Sequence, residues 1–405
     1  MSQAEGGVVS RKMAGFMERA SWIRKMFEEG ARLKEEFGSD RVCDFSLGNP
    51  DIDPPAVFQD SLQVMASDRS PGVHSYMPNA GIPDVRSRVA EAAGRDHQVD
   101  LSADEILMTC GAAGGLNIIF KALLNPGEEV ITPAPYFVEY GFYADNHGGV
   151  LKTVGSKPDF SLDLDAIEKA FTEKTKVVLL NSPNNPSGVI YSEEELKALA
   201  ELLSRAEKET GHPVFIVSDE PYRRLVYDNC AVPPVLRFYS NSIVTTSFSK
   251  DLSIPGERIG YVAVHPDAAE KAALLGALTL ANRILGYVNA PALMQRVVGE
   301  VLEASVDIGI YSRRRELFAD VLNDAGLEFA MPSGAFYFFP RSPIKDDTEF
   351  VRLLQEELIL SVPGTGFGAP GYFRLAFCVD DGVIKRSRDG FRRAVEKAAG
   401  QGQGA

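Results

Sequence analysis

The chain has 405 residues, of which 45% are hydrophobic and 24% are charged, values typical of a globular protein large enough for two domains. Its formal net charge of −14 argues against a nucleic-acid-binding surface, which requires a basic stripe. The four cysteines are isolated from one another, so the sequence predicts neither a zinc site nor a disulfide framework. The N-terminus lacks the apolar core of a signal peptide, and no run approaches the roughly 18 apolar residues of a membrane helix. We therefore expect a soluble cytoplasmic protein.

The N-terminal part predicts helices around one irregular segment. Residues 12–37 carry Met, Phe, Trp and Ile between charged residues at helical spacing. The segment FSLGNPDIDPP (45–55) has too many Gly and Pro residues for regular structure. A helix is predicted over 56–66, and residues 74–94 read as a loop that leads into a helix with Pro83 near its start.

From about residue 100 to 290, short apolar strands alternate with amphipathic helices. This alternation predicts a largely parallel sheet covered by helices on both faces. Ligands bind such sheets at the carboxyl ends of the strands, where this chain concentrates Gly, Asn, Asp, Ser and Lys residues. The predicted strands are EILMTCG, EEVITPAP, GVLKTV, KVVLLNSP, VFIVSDEP, SIVTTSFS and RIGYVAV.

The C-terminal part predicts a second, smaller α+β region. Residues 267–325 read as two helices joined through GYVNAPA, another helix is predicted over 347–358, and a final helix follows YFRLAFCV. We therefore predict an α/β fold, with a large domain (48–290) whose mostly parallel sheet is sandwiched by helices. The smaller α+β domain combines an N-terminal arm (1–47) with the C-terminal segment (291–405).

Two predicted strand ends carry candidate catalytic residues. Asp219 follows the apolar strand PVFIVS, Tyr222 lies shortly after it, and Lys250 follows the strand SIVTTSFS. Asp219 alone fits a turn or a helix cap. With Tyr222 and Lys250 in this context, it also fits a partly buried carboxylate that holds a proton on a ligand nitrogen.

Polar and glycine-rich turns follow other strands. The loop NSPNNPSG (181–188) fits either a tight turn or a pair of asparagines that direct amide donors into a crevice. The turn TCGAAGG (109–115) opens a helix, whose free N–H groups and dipole attract anions. It is not the G-x-G-x-x-G dinucleotide motif, and its glycines fit close packing as well. Combined with Ser247, Ser249 and Arg258, the turn predicts a site for a single phosphate group.

Arg374 lies in or beside the short predicted strand YFRLAFCV. One interpretation is a solvated charge on an edge strand. The other is a planar guanidinium fork that grips a substrate carboxylate through two parallel hydrogen bonds. Both interpretations stay open at this level.

In combination, these residues resemble the class I/II aminotransferases, which are fold-type I enzymes dependent on pyridoxal 5′-phosphate (PLP). The shared motifs are N-x-P-N-N-P-[ST]-G, D-E-x-Y, S-x-S-K followed by P-G-x-R-x-G, and a late Arg, and they span most of the chain. The resemblance implies an aspartate aminotransferase-like fold and a homodimer with shared active sites. It also implies ping-pong transfer of an amino group from an L-amino acid to a 2-oxo acid such as 2-oxoglutarate.

The resemblance implies a role for each matching residue. Lys250 corresponds to the lysine that forms the imine with PLP and moves the α-proton, and Asp219 to the carboxylate paired with the pyridine nitrogen. Asn185 and Tyr222 correspond to the partners of the ring's phenolic oxygen. The other PLP-binding positions are the stacking aromatic Phe137, the phosphate ligands Gly111, Ala112, Ala113, Ser247, Ser249 and Arg258, and Tyr76 from the neighbouring subunit.

Substrate binding is implied for Gly48, Asn185 and Arg374, which match the grip on the substrate carboxylate. Arg283, in LANRILGYVNAPA, lies near the position where dicarboxylate-specific members have an arginine that reaches across the dimer to the distal carboxylate. In that role it would favour aspartate or glutamate. Because the following turn is spaced differently, an arginine solvated or paired on a helix is the alternative.

Two other functions fit parts of the sequence. A PLP-dependent lyase or synthase, for example a C–S lyase, would keep Lys250, Asp219 and Arg258 but would release ammonia, pyruvate or another fragment. A non-catalytic PLP-sensing domain of a transcription regulator would need a DNA-binding extension, for which the short, non-basic N-terminus leaves no room. We therefore predict a PLP-dependent transaminase with small-molecule substrates and with no metal, nucleic-acid or membrane partner.

Overall fold

The computed structural model describes residues 8–401 apart from residue 20. The chain divides into two compact units. The small unit contains the residues up to Gly48, residues Glu316–Phe329 and those from Phe339 on, and the large unit contains Asn49–Arg315 and Ala330–Phe338. The segment 330–338 thus belongs to the large unit, although the chain on either side of it belongs to the small one.

The described helices are spread over both units. They are α1 (Arg11–Arg19), α2 (Ser21–Phe37), α3 (Ala56–Ser67), α4 (Pro83–His97), α5 (Gly111–Leu123), α6 (Tyr140–Asn146), α7 (Leu164–Ala170), α8 (Glu193–Thr210), α9 (Val235–Phe238), α10 (Lys271–Ile284), α11 (Ala292–Glu300), α12 (Ile308–Asp324), α13 (Asp347–Glu356) and α14 (Asp381–Gln401).

The described strands are β1 (Cys43–Asp44), β2 (Ile106–Thr109), β3 (Glu129–Pro133), β4 (Val150–Val154), β5 (Thr175–Asn181), β6 (Phe215–Asp219), β7 (Ser242–Ser247), β8 (Gly260–Val264), β9 (Tyr337–Phe338), β10 (Ile359–Leu360), β11 (Val362–Pro363) and β12 (Phe373–Ala376). Seven of them form the main sheet of the large unit, in the order β2-β8-β7-β6-β5-β3-β4. Neighbours from β4 to β7 pair in parallel, whereas β8 runs antiparallel to β7 and β2.

The large unit has a hydrophobic layer on each face of this sheet. Because side chains alternate along a strand, β5 sends Val177 and Leu179 into one layer and Val178 and Leu180 into the other. Helices α5, α6 and α10 cover the first layer, and α4, α8 and α11 cover the second. The predicted mostly parallel sheet covered on both faces is confirmed, and each of its predicted strands overlaps an observed one.

The small unit has a core of its own. Strand β1 pairs in parallel with β10, and β11 pairs in antiparallel fashion with β12. The ring of Phe45 lies 4.6 Å from that of Phe318 and 6.2 Å from that of Phe391, measured between centroids. This aromatic cluster joins the N-terminal arm to α12 and α14.

The C-terminal region departs from the sequence-based expectation in two ways. Three helices, α10, α11 and α12, cover the stretch where two were predicted. The compact large unit also continues to Arg315, past the predicted boundary at residue 291. The reason lies in α11, which packs in the second hydrophobic layer with α3 and α4. The turn after α11 is held in the same unit, because Val306 donates its N–H to the carbonyl of Asp251 at 2.7 Å.

Among the described residues, no helix combines the length and the apolar character needed to span a membrane.

The alternation in β5 makes a stability prediction. Leu179 is fully buried in the sheet, so Leu179→Ala should lower the free energy of unfolding by about 3 kcal/mol through lost burial and a residual cavity. Val150→Ala is the control, because Val150 on the edge strand β4 is 48% exposed. Urea unfolding followed by circular dichroism measures both, and equal small effects would contradict the assignment of β5 to the core.

Candidate active site

The carboxyl ends of three adjacent parallel strands define the candidate site in the large unit. Asn181 of β5 lies opposite Asp219 of β6, and Asp219 lies opposite Thr245 of β7. Lys250 follows β7 after a short turn. The parallel register therefore carries these residues to one edge of the sheet, as the sequence predicts.

Aromatic rings surround the amine of Lys250. Its Nζ lies 6.0 Å from the ring centroid of Tyr222 and 5.4 Å from that of Phe336, within the range of cation–π attraction. The two rings meet edge to face, with centroids 5.4 Å apart. Lys250 itself is half-buried, and its amine lies beside this aromatic pair.

Asp219 is a buried carboxylate with two unlike oxygens. Tyr140, itself fully buried, donates its hydroxyl to Oδ2 of Asp219 at 2.5 Å. Among the described residues, Oδ1 of Asp219 has no hydrogen-bond partner. Burial raises the pKa of Asp219 to about 7, the hydrogen bond from Tyr140 lowers it, and the charge of Glu220 raises it. A cationic donor at Oδ1 would stabilise the ionised form.

A second buried acid, Glu220, directly follows Asp219 in the chain. Glu220 accepts hydrogen bonds from Ser218 Oγ at 2.7 Å and from Arg223 Nη1 at 2.8 Å. Burial raises the pKa of Glu220, and the positive charge of Arg223 opposes that rise. Arg223 also donates to the carbonyls of Asp96 and Val232, so the ion pair is fixed in place.

The loop after β5 is tied to Asp219 through Asn181. The amide Nδ2 of Asn181 donates to the carbonyl of Asp219 at 2.8 Å, and its Oδ1 accepts the N–H of Asn185 at 2.7 Å. Asn185 is buried. Phe137 reaches the same region from the end of β3, where its ring packs edge to face on Tyr140 at 5.5 Å.

An anion cradle forms where α5 begins. Gly111, at φ 71°, lies so close to Arg258 that a Cβ on it would be 2.6 Å from the guanidinium Nη2. The preceding residue, Cys110, supplies no side-chain cap to the helix, so the first-turn N–H groups of Gly111, Ala112 and Ala113 need other acceptors.

The end of β7 closes the cradle. A Cβ on Gly260 would meet the carbonyl of Thr246 at 2.3 Å and the Cα atoms of Gly111 and Ser247 at 3.1 Å each. Glycine is therefore required for these three segments to meet. Ser247 and Ser249 are both buried beside the cradle, and Arg258 is exposed above it. Helix N–H groups, hydroxyls and a guanidinium suit a phosphate group.

A family model described as aminotransferase class I and II matches residues 40–390 of the chain.

The chain belongs to this family.

Individual relatives are also aminotransferases. A probable aspartate/prephenate aminotransferase of Aquifex aeolicus is 33% identical, over 88% of this chain and 91% of its own length. The aspartate aminotransferase of Bacillus subtilis is 30% identical, over 88% and 92%. A crystal structure of an aminotransferase from Eubacterium rectale superposes with a TM-score of 0.93 at 40% identity, over 97% of this chain and 99% of that one. The predicted family and transaminase activity are confirmed.

The small unit of the aminotransferase contains the other two residues predicted at the substrate carboxylate. Arg374 on β12 is buried, donates Nη2 to the carbonyl of Ser46 at 2.6 Å, and lies 4.9 Å from the ring centroid of Phe367. Gly48 follows this stretch, whose Leu47 carbonyl accepts from Cys378 Sγ at 3.6 Å. Arg374 is thus not a solvated edge-strand charge.

Two predicted site residues lie on the surface of the large unit. The side chain of Tyr76 is 92% exposed. Arg283 is exposed on α10 and lines an open cleft with Asn79, Arg86 and Lys271. The residues named above at the strand ends do not line that cleft.

Four residues of the site, among them Phe336 beside Lys250, were not identified from the sequence. Asn181 lies inside the predicted NSPNNPSG loop, so its place at a strand end was the available signal. Tyr140 begins a short helix with no motif around it. Tyr337 lies 115 residues after Tyr222, whose hydroxyl it contacts at 2.8 Å. No local pattern marks a contact across that separation.

The burial of Asp219 predicts a specific pH dependence of stability. In the folded protein its pKa is raised from 3.8 to about 7, so the folded state holds the proton more tightly and this group's contribution to stability falls as pH rises between those values. Asp219→Asn removes this pH-dependent contribution to the free energy of unfolding. Without added cofactor, the unfolding free energy of the variant relative to the parent should therefore increase by about 2 kcal/mol from about pH 5 to about pH 8.

Urea titrations at both pH values measure this difference. Glu194→Gln is the control, because Glu194 is an exposed acid in the first turn of α8 and its loss should leave the pH dependence unchanged. A pH-independent effect of Asp219→Asn would contradict the raised pKa.

Proposed function

We propose that this aminotransferase uses PLP and transfers the amino group of an L-amino acid to a 2-oxo acid, with aspartate as donor and 2-oxoglutarate as acceptor. The observation that carries the proposal is the joint presence, at one edge of the sheet, of Lys250, the buried carboxylate of Asp219 and the anion cradle at Gly111. A pyridine ring with an aldehyde, a ring nitrogen and a phosphate requires these three groups.

The chemistry of the donor set fits PLP at both ends. At one end, Asp219 Oδ1 is buried without a described hydrogen-bond partner, which suits a protonated ring nitrogen. At the other end, the first-turn N–H groups of Gly111, Ala112 and Ala113, with Ser247, Ser249 and Arg258, suit the phosphate. Phe137 would stack on the ring, and Asn185 and Tyr222 would bind its phenolic oxygen.

When bound, PLP supplies an electron sink for the electrons left at the substrate Cα. Asp219 would keep the ring nitrogen protonated, because a buried carboxylate is stabilised by an adjacent positive charge. Lys250 would hold the cofactor covalently and then, once displaced, carry the proton from Cα as a positioned base and acid. The aromatic wall of Tyr222 and Phe336 would limit solvent access to that amine.

We propose Arg374, Gly48 and Asn185 for the substrate α-carboxylate. Burial of Arg374 and its hydrogen bond to the Ser46 carbonyl would hold the guanidinium plane for bidentate binding. Aspartate as donor is supported by the names of relatives from Aquifex aeolicus and Bacillus subtilis. Arg283 is proposed for the distal carboxylate, reached from a second copy of the chain.

We also propose a cytoplasmic homodimer with shared active sites. Tyr76 would reach the phosphate bound by the neighbouring subunit, and the 92% exposure of its side chain in the single chain leaves the ring available for that contact. Exposed Leu280 and Ile284 flank Arg283 on α10 and give this surface an apolar character suited to a second copy.

The reaction is tested with the purified, PLP-loaded protein and a panel of single amino acids, without an acceptor. A donor should change the visible absorbance of the cofactor and release 2-oxo acid in a stoichiometric burst that stops until 2-oxoglutarate is added. Aspartate should react and lysine should not. Sustained release of ammonia, or no burst with any common amino acid, would contradict transamination.

Lys250→Ala should abolish covalent cofactor binding and lower kcat by about 10⁴-fold or more, because the proton carrier at Cα is lost. Borohydride reduction followed by mass spectrometry detects the covalent link. Lys197→Ala is the matched control, because Lys197 is exposed on α8, where it pairs with Glu193, and its loss should leave both readouts unchanged. A reducible link that persists in Lys250→Ala would exclude Lys250 as the anchor.

Arg283→Ala should lower kcat/KM for aspartate by about 10- to 100-fold while changing that for alanine little, because only aspartate has a second carboxylate to lose its partner. Steady-state kinetics with both donors measure the ratio, and alanine serves as the internal control. An equal decrease for both donors would show that Arg283 does not bind the distal carboxylate of the substrate.

A further inference from the structure

A pair of buried tyrosine hydroxyls lies beside Lys250. The hydroxyl of Tyr337 is 2.8 Å from that of Tyr222, and the side chains are 1% and 4% exposed. Their rings meet edge to face, with centroids 5.7 Å apart. The preceding residue, Phe336, contacts the ring of Tyr222 and lies near Lys250 Nζ. One dipeptide from late in the chain therefore touches both Tyr222 and Lys250.

The backbone that carries this dipeptide is fixed on two loops of the site. Ser333 and Gly334 both donate their N–H groups, at 3.0 Å, to the carbonyl of Gly188, the last residue of the loop 181–188. On the other side, Ala335 donates its N–H to the Leu225 carbonyl at 2.9 Å. The hydroxyl of Tyr227 donates to the Ala335 carbonyl at 2.6 Å.

Close packing and an ion pair hold the same segment. A Cβ on Gly334 would lie 2.6 Å from the ring of Pro183, so the two chains are in direct contact. Arg315 donates to the Pro332 carbonyl at 3.1 Å and binds both carboxylate oxygens of Asp228 at 2.9 and 2.7 Å. Ala335 adopts φ 57°, a conformation that a residue with a Cβ keeps only when its surroundings impose it.

We propose that Tyr337 is a positioning residue, which orients the hydroxyl of Tyr222 and strengthens it as a hydrogen-bond donor in the transamination reaction. The proposal rests on the proposed function, in which Tyr222 binds the phenolic oxygen of PLP. A phenol has one proton to donate and accepts through its lone pairs. If Tyr222 gives its proton to the cofactor, the Tyr337–Tyr222 bond requires Tyr337 to donate to the Tyr222 oxygen.

This direction has an electronic consequence. Hydrogen bonds in a chain polarise one another, so a donor behind Tyr222 makes its own hydroxyl a stronger donor. A stronger bond to the phenolic oxygen disperses the negative charge there. The nitrogen through which Lys250 would hold PLP would then bind its proton less tightly, because the negative charge that stabilises this proton is dispersed. Tyr337 therefore lowers the pKa seen in the visible absorbance of the bound cofactor.

The test is a pH titration of the visible absorbance of the PLP-loaded protein without substrate. Tyr337→Phe should raise the apparent pKa by about 0.5 unit or more, about a threefold change in proton affinity. Replacing Tyr337 with 3-fluorotyrosine, whose phenol is more acidic, should lower it. Tyr222→Phe should raise the pKa at least as much as Tyr337→Phe, and adding Tyr337→Phe to Tyr222→Phe should change it no further.

Tyr227→Phe is the matched control, because it removes a different buried hydroxyl, one that anchors the same segment by donating to the Ala335 carbonyl. It should lower the melting temperature and leave the titration unchanged. An equal shift in Tyr227→Phe and Tyr337→Phe would mean that Tyr337 acts only through stability. If Tyr222→Phe shifts the titration and neither Tyr337 variant does, the positioning role is wrong and the proposed function stands. If the wild-type protein binds no PLP, both the positioning role and the proposed function are wrong.

Discussion

Asp219 holds a carboxylate in the interior of the large unit, where an ionised group without a counter-charge is unstable. The protein provides part of what that charge needs, through the hydroxyl of Tyr140, and adds a second acid, Glu220, directly after it in the chain. A cation at the remaining oxygen would relieve both the burial and the repulsion. The buried carboxylate therefore favours a positively charged partner at its second oxygen.

The other parts of the site follow from where β6 puts this carboxylate. Parallel neighbours bring Asn181 and Thr245 level with it, and the turns that follow those strands carry Asn185 and Lys250. The antiparallel strand β8 then returns the chain so that Gly260 meets Gly111 and Ser247. Sheet register thus sets the spacing between the lysine, the carboxylate and the anion cradle.

Much of this arrangement could be predicted from the sequence, because strands and their polar ends are local patterns. Lys250, Asp219 and the Gly111 turn all follow short apolar runs, and the sheet places them at one edge. Tyr140 and Tyr337 could not be found in this way, since their roles depend on contacts with residues far along the chain. The continuation of the large unit to Arg315 was missed for the same reason, because α11 is amphipathic in sequence whichever unit it packs on.

The segment 330–338 also has a consequence for how the protein is made. Tyr222 and Tyr337 are 115 residues apart, and contacts across long separations form late because a large loop must close first. A ribosome-bound chain that has completed all seven strands of the central sheet still lacks Phe336 and Tyr337. The sheet can therefore fold during synthesis, whereas the aromatic wall beside Lys250 is completed only when the last part of the chain emerges.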